Sequence, residues 1–238
     1  MKILSFLTII LLLPNLCFGV VRSFDGTNDE IDMSTNLDVT TGNVTVCAWV
    51  KPTEDASADI WVGKKSNILI GTAGYAFYQQ SGDLYTWIVS DAVDACWPTT
   101  SDLDGVWTFF CGVWNQTSNN CPTYHNGVQQ TNTGNSLVDS LTNAVVFQLG
   151  EDASDGNDAN GLLAYVSQFS AELTAGEIIE LMWKPESVVL NEPNGFWPMF
   201  GGDSPEIDLS KNAFTGTVSN ATTNANGPPV MFGGGLPL

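Results

Sequence analysis

Between Gly150 and Gly161 the chain reads GEDASDGNDANG. Glu151, Asp152, Asp155 and Asp158 crowd there with two asparagines and three glycines. Carboxylates and amides are hard oxygen donors, and a calcium ion takes roughly six to eight of them. The D-x-[DN]-x-[DN]-G spacing of an EF-hand is absent. Two readings follow, a solvated turn whose acids merely avoid the core, or one modest calcium site that orders the loop and helps hold a pair of sugar hydroxyls. The expectation taken forward is calcium.

Other acid pairs invite a hydrolytic reading. Glu30-Ile31-Asp32 and Glu206-Ile207-Asp208 each put two carboxylates on one strand face. Retaining glycoside hydrolysis needs a second, acid/base carboxyl roughly 5 Å from the nucleophile. Neither pair is followed three residues on by a further carboxylate, since Thr35 and Lys211 stand there. The expected role is turn capping at strand ends, by Asp and by the following Ser34 and Ser210. The single histidine, His125, sits in Tyr124-His125-Asn126-Gly127, where Asn-Gly favours a type I′ hairpin turn, so a structural role is expected. No Ser/His/Asp arrangement or G-x-S-x-G elbow occurs. The chain is expected not to be an enzyme.

Aromatic rings offer a different chemistry, because the C–H face of a sugar complements a π face. Of eight tryptophans, Trp61, Trp87 and Trp97 adjoin loop residues and are the candidate ligand-binding platforms. Trp49, Trp107 and Trp114 occupy strand positions and are expected in the core. The alternative to sugar binding is a structural surface or virion component that uses its sandwich for self-assembly. A glycoside hydrolase is disfavoured by the missing carboxylates.

The compartment follows from the N-terminus and the cysteines. A lysine, an apolar run from Ile3 to Leu13, Pro14 and the small-residue site at Gly19 read as a secretory signal peptide over 1–19. Residues 20–238 then form one domain. The apolar run falls short of the roughly 20 residues that span a bilayer, so the protein is expected to be secreted or at the cell surface and not membrane-spanning. Cys47, Cys96, Cys111 and Cys121 remain, an even set suited to two disulfides in an oxidising compartment, with three pairings open. Their spacings of 49, 15 and 10 residues match no zinc pattern. Sequons begin at Asn43, Asn115 and Asn220, candidate glycosylation sites in a host that glycosylates. With 26 acidic residues against 7 basic ones and a net charge of −19, the surface repels phosphate backbones, which excludes nucleic acid as a partner class.

Such residues are positioned by strands. Runs with period-two alternation recur between Gly, Asn and Asp clusters: VRSFDGTNDEIDM, NVTVCAWV, NILIG, YAFYQQ, LYTWIVS, WTFFCGVW, AVVFQLG, LLAYVSQFS and GTVSN. In NVTVCAWV, Val44, Val46, Ala48 and Val50 share the core face and Thr45, Cys47 and Trp49 the other. A helix is predicted over 174–183, with Thr174 as cap, Glu177 completing a capping box, and Ile178, Ile179, Leu181 and Met182 as the apolar stripe before Pro185. The predicted fold is all-β, an antiparallel jelly-roll sandwich with one short helix.

FDGTNDEIDM, VTVCAWVKP, WTFFCGVWN with YHNG, FQLGEDAS and AYVSQFSAELTAGEI occur in an order that resembles the laminin-G-like and pentraxin-like jelly rolls of the concanavalin A-like lectin/glucanase superfamily. The similarity runs from Val21 to Trp183, with FWPMFGG, SPEIDLSKN, GTVSN and PPV read as returning strands of the same domain. The resemblance implies a disulfide between Cys47 and Cys111, leaving Cys96 with Cys121. It also implies that Glu151 and Asp152 ligate calcium with Asn67, with Asp155 and Asp158 as additions. Its implied function is a carbohydrate-binding, lectin-like module whose partners are glycans or glycoproteins and which can form homo-oligomers.

Overall fold

The computed structural model describes residues 16–17, 19–33, 37, 39, 42–53, 58–66, 73–80, 84–90, 95–96, 103, 105–130, 140–152, 156–187 and 192–231; for 16–17, 80, 84–88, 95–96 and 231 it describes the backbone alone. In chain order the first strands are β1 (Leu16–Cys17), β2 (Val21–Asp25), β3 (Glu30–Asp32), β4 (Val44–Pro52), β5 (Asp59–Lys64), β6 (Gly74–Gln80), β7 (Leu84–Ser90), β8 (Ala95–Cys96) and β9 (Thr108–Trp114). There follow β10 (Thr123–His125), β11 (Val128–Gln129), β12 (Gln148–Leu149), β13 (Asn160–Phe169), helix α1 (Ala175–Trp183), β14 (Gly195–Trp197), β15 (Thr217–Ser219), β16 (Thr222–Asn224) and β17 (Val230–Met231). The predicted strand NILIG lies outside the described residues.

Two antiparallel sheets face each other. One runs β11-β10-β9-β4-β13-β2-β16, with β14 also pairing β13, and the other runs β15-β3-β12-β5-β6-β7-β8. β1 pairs with β17 as a separate two-stranded ribbon. The predicted sandwich is therefore the observed one, and its last strands come from the C-terminal tail. That tail is tied in by pairing of β14, β15 and β16 with β13, β3 and β2.

The central strand β4 shows why the sandwich holds. Val44, Val46, Ala48 and Val50 enter the core between the sheets with Phe110, Leu163 and Trp61. Cys47 and Trp49 point the other way, into a second apolar cluster with Ile178, Leu181 and Met182 of α1. One buried face was expected, and both are buried because α1 lies on the outer face. The helix itself forms as predicted: Thr174 accepts from the Glu177 N–H while the Glu177 side chain returns to the Thr174 N–H, a capping box. Thr45 anchors the approach to it, donating to the Ala171 carbonyl at 2.7 Å and accepting from the Leu173 N–H at 3.1 Å.

Cys47 and Cys111 stand opposite each other in the β4–β9 ladder and are disulfide-bonded, with 4.1 Å between their Cα atoms. Directly opposed residues of an antiparallel pair come close enough for this bridge without backbone movement. Cys121 is buried and also disulfide-bonded; the side chain of its expected partner, Cys96, lies outside those described. No helix among the described residues is long and apolar enough to cross a membrane.

Candidate ligand-binding site

Two loops meet at one end of the sandwich. The turn between β2 and β3 takes positive φ at Gly26 and Asn28, conformations open to Gly and tolerated by Asn. Its Gly26 N–H donates to the Ala159 carbonyl at 3.0 Å, and the Asn28 N–H donates to Asp158 Oδ1 at 3.1 Å. The facing loop leaves β12 at Gly150, where φ is +92° and a Cβ would stand 2.3 Å from the Phe24 ring. Only glycine brings the acidic loop this close to β2.

The closeness gathers carboxyl groups. Glu151, 5% exposed, shares side-chain hydrogen bonds with Asp158 and Glu30. Burial, then the Glu30 charge, push its pKa up to about 8. Asp29 is also raised, chiefly by burial, although the Asp25 N–H donates to its Oδ2 at 2.7 Å and opposes the shift. Glu30 accepts further from Gln148 at 3.2 Å and Ser219 at 3.3 Å. Near neutral pH this cluster holds a proton that isolated carboxylates would have lost.

Of the predicted calcium ligands, the fold brings Glu151 and Asp158 together and adds Glu30, which sequence reading had placed elsewhere. Asp152 is buried and turns instead to accept from the Asn157 amide. Asp155 and Asn67 lie outside the described residues. Among the described residues no three His, Cys, Asp or Glu side chains are arranged to hold a metal ion.

Beside this rim the outer face of the larger sheet opens into a cleft of about 650 Å³. Its floor is Leu162 and Gly161 of β13, and Ser23 and Asp25 of β2, Lys51 of β4, Asn160 and Asn224 stand around it. The register explains the grouping, since Leu162 pairs with Lys51 on one side and Ser23 on the other, and Asn160 pairs with Asp25. All alternate with Phe24, Val50 and Leu163, which face the inter-sheet core. At Gly161, φ is +141° and a Cβ would meet the Lys51 carbonyl at 2.4 Å. Asn226, which also lines the cleft, accepts at its carbonyl from Trp107 Nε1 at 2.9 Å.

The sequence model for a laminin G family, described as concanavalin A-like lectin/glucanases superfamily, matches residues 25–179. The chain belongs to that superfamily. No curated protein matches it in sequence. Among solved structures, a Bacteroides ovatus protein described as carbohydrate binding is similar with a TM-score of 0.69 at 14% identity, over 90% of this chain and 62% of that one. A heptameric SAP-like pentraxin from Limulus polyphemus gives 0.54 at 15% identity, over 69% and 82%. The NanB sialidase of Streptococcus pneumoniae gives 0.52 at 16%, over 68% of this chain but 27% of its own. At these identities the likeness is one of fold.

Within this superfamily member, the candidate aromatic platforms need one correction. Trp61 is 2% exposed and belongs to the inter-sheet core, because β5 begins at Asp59 and carries a bulge between Ile60 and Val62. It cannot stack on a sugar. Of Trp87 only the backbone, in β7, is described, and Trp97 lies outside the described residues. The cleft itself escaped sequence reading; its one signal was the polar alternation of Ser23 and Asp25 against Phe24.

The acid pair Glu206 and Asp208 serves the fold. Glu206 forms a buried ion pair with Arg22, 2.8 Å from Nε. Burial raises the Glu206 pKa and Arg22 opposes that rise. Asp208 accepts from the backbone N–H groups of Phe196, Ser210 and Phe214 at 2.7–2.8 Å, and from Ser210 Oγ at 2.7 Å. His125 is buried against Phe110, 4.8 Å between ring centroids, and burial lowers its pKa to about 4. The sequon asparagines are at the surface or near it: Asn220 is exposed and donates to the Asn28 carbonyl, Asn43 accepts from the Gln116 N–H, and Asn115 donates to Glu172.

Proposed function

We propose that this protein is a non-catalytic, lectin-like module that binds glycans or glycoproteins outside the cell. The observation that carries the reading is the cleft. Amide, hydroxyl and carboxylate groups surround an apolar floor in the manner that suits a sugar ring, whose rim hydroxyls need partners and whose faces do not. The description of the Bacteroides ovatus protein as carbohydrate binding supports it by analogy of fold alone. A non-catalytic role is supported by the carboxylates: Glu206 and Asp208 have their oxygens engaged in holding the tail. Export through the leader over 1–19 is supported by the buried disulfides; cleavage there would remove β1 and its pairing with β17, while neither cleft nor acidic rim uses a residue before Ser23.

Calcium is proposed on the donor chemistry of the acidic loop, with Glu151 and Asp158 supplying two carboxylates and amide and backbone oxygens the rest, since the described acids do not by themselves form a three-carboxylate site. A proton held by Glu151 must leave before a cation enters, so calcium affinity is expected to rise between pH 6 and pH 8. Calorimetry and a thermal melt in millimolar calcium test this. Heat and a raised Tm that both vanish in Glu151→Gln are expected; no heat at pH 8 leaves a solvated turn. The sugar reading is tested by a glycan array with and without calcium, where reproducible binding to one glycan class is expected and an empty array in both conditions overturns it.

Self-assembly is the second reading, favoured by one observation. Phe200, Ile207 and Leu209 expose 42%, 57% and 50% of their surfaces around a small apolar pocket with Pro198. Light scattering decides it: a large homo-oligomer without glycan affinity supports assembly, and a monomer rules it out.

A further inference from the structure

We infer that the cleft recognises a sugar acid, its carboxylate held by Lys51 and its hydroxyls by Asp25, Asn160 and Asn224. This rests on the carbohydrate-binding reading. The starting point is where the scarce cations are. Arg22 is consumed by Glu206. Lys64 is fully buried, its Nζ donating to the Asn143 carbonyl at 2.9 Å and Oδ1 at 2.5 Å, and Lys65 is buried too. Lys211 pairs with Glu192 at the surface, and Lys184 is exposed at the end of α1. Lys51 is the basic residue lining the cleft. It occupies the half-buried, outward position between buried Val50 and Pro52, where its stem lies on the sheet and its ammonium reaches water.

The spacing defines the ligand. Lys51 and Ser23 flank Leu162 on adjacent strands, and Asp25 stands two residues further along β2. With strands about 4.8 Å apart and a rise of about 3.4 Å per residue, the Cα atoms of Lys51 and Asp25 are roughly 12 Å apart. After subtracting the side chains, that gap suits one pyranose ring lying on Leu162 and Gly161. A positive group at one end calls for an anionic substituent there. The Asp25 carboxylate and the Asn160 amide at the other end call for adjacent hydroxyls, while Asn224, which pairs with Val21 on the far side of Ser23, offers a further partner along the rim. The net charge of −19 acts against an anion at long range, but ionic strength near 0.15 M screens charges beyond about 8 Å, so contact with Lys51 decides. A carboxyl-bearing sugar can be a hexuronate or a sialate, and the two differ in size and in the placement of the acid.

Calorimetry on the full chain tests the inference with matched pairs: a glucuronate disaccharide against its glucose counterpart, and sialyllactose against lactose. One acid is expected to bind about ten-fold tighter than its neutral partner, as a charge-assisted hydrogen bond would give, and the pair showing this identifies the source. Lys51→Met should erase the preference for the acid over its neutral partner with Tm near wild type, and Lys51→Arg should keep it. Neutral sugars binding as well as acids, with Lys51→Met without effect and Asn160→Ala abolishing binding, would overturn the sugar-acid inference and leave sugar binding standing. Failure of every saccharide at millimolar concentration would remove both.

Discussion

The strand pair β4–β9 and the acidic rim are built on opposite principles. In the pair, directly opposed cysteines are bridged, one face enters the inter-sheet core, and the other is covered by α1. What holds this pair is chiefly apolar packing and a covalent bridge, neither of which responds to protons or metal cations. In the rim, Glu30, Glu151 and Asp158 are pressed together by glycine-enabled approach of two loops, an arrangement whose energy depends on protons and cations. Stability belongs to the first region, and adaptability to ligand belongs to the second.

The contrast can be broken from the stable side. Trp61→Ala should cost about 3–5 kcal/mol, as expected of an emptied core site, read as a lower urea midpoint. A stability near wild type would return Trp61 to the surface and reopen its role as a sugar platform. Replacing Cys47 and Cys111 together by alanine releases a loop closed across a sequence separation of 64, and about 2–4 kcal/mol should be lost. An unchanged Tm would mean that strand pairing alone fixes this region.

A third change acts through pH. His125 has a folded pKa of about 4, below its ordinary value near 6.5. The unfolded chain therefore binds the proton first, and stability falls as pH drops through the window from about 6.5 to about 4. His125→Phe should flatten that part of the denaturation profile by at most about 3 kcal/mol. Glu151 has the opposite sign: its raised pKa makes the rim most stable below its ordinary value of 4.5 and weaker as pH rises through about 8. The smallest effect is expected at the helix cap, where Thr174→Ala should cost about 1 kcal/mol, visible as a small drop in Tm with the cleft unaffected.

These differences also explain what was legible in the sequence. Alternation in NVTVCAWV and WTFFCGVW fixes both strands and their cores because the signal is local. The capping box spans four residues and was readable for the same reason. β5 was missed because DIWVGK offers little alternation and carries a bulge, and Trp61 was misplaced with it. Arg22 and Glu206 are 184 residues apart, and the cleft draws on four strands from β2 to β16. No local pattern announces such a meeting; only the strand order does. Glu30 was seen as half of a failed catalytic pair, when its neighbour in space is Glu151.

The cleft is the claim on which the function rests, and amide chemical-shift mapping reaches it most directly. Uniformly ¹⁵N-labelled protein titrated with the sugar selected by the array should shift Ser23, Asp25, Lys51, Asn160, Leu162 and Asn224 together, at one common affinity. Shifts confined to the apolar surface around Phe200, Ile207 and Leu209, with these six unmoved, would contradict it.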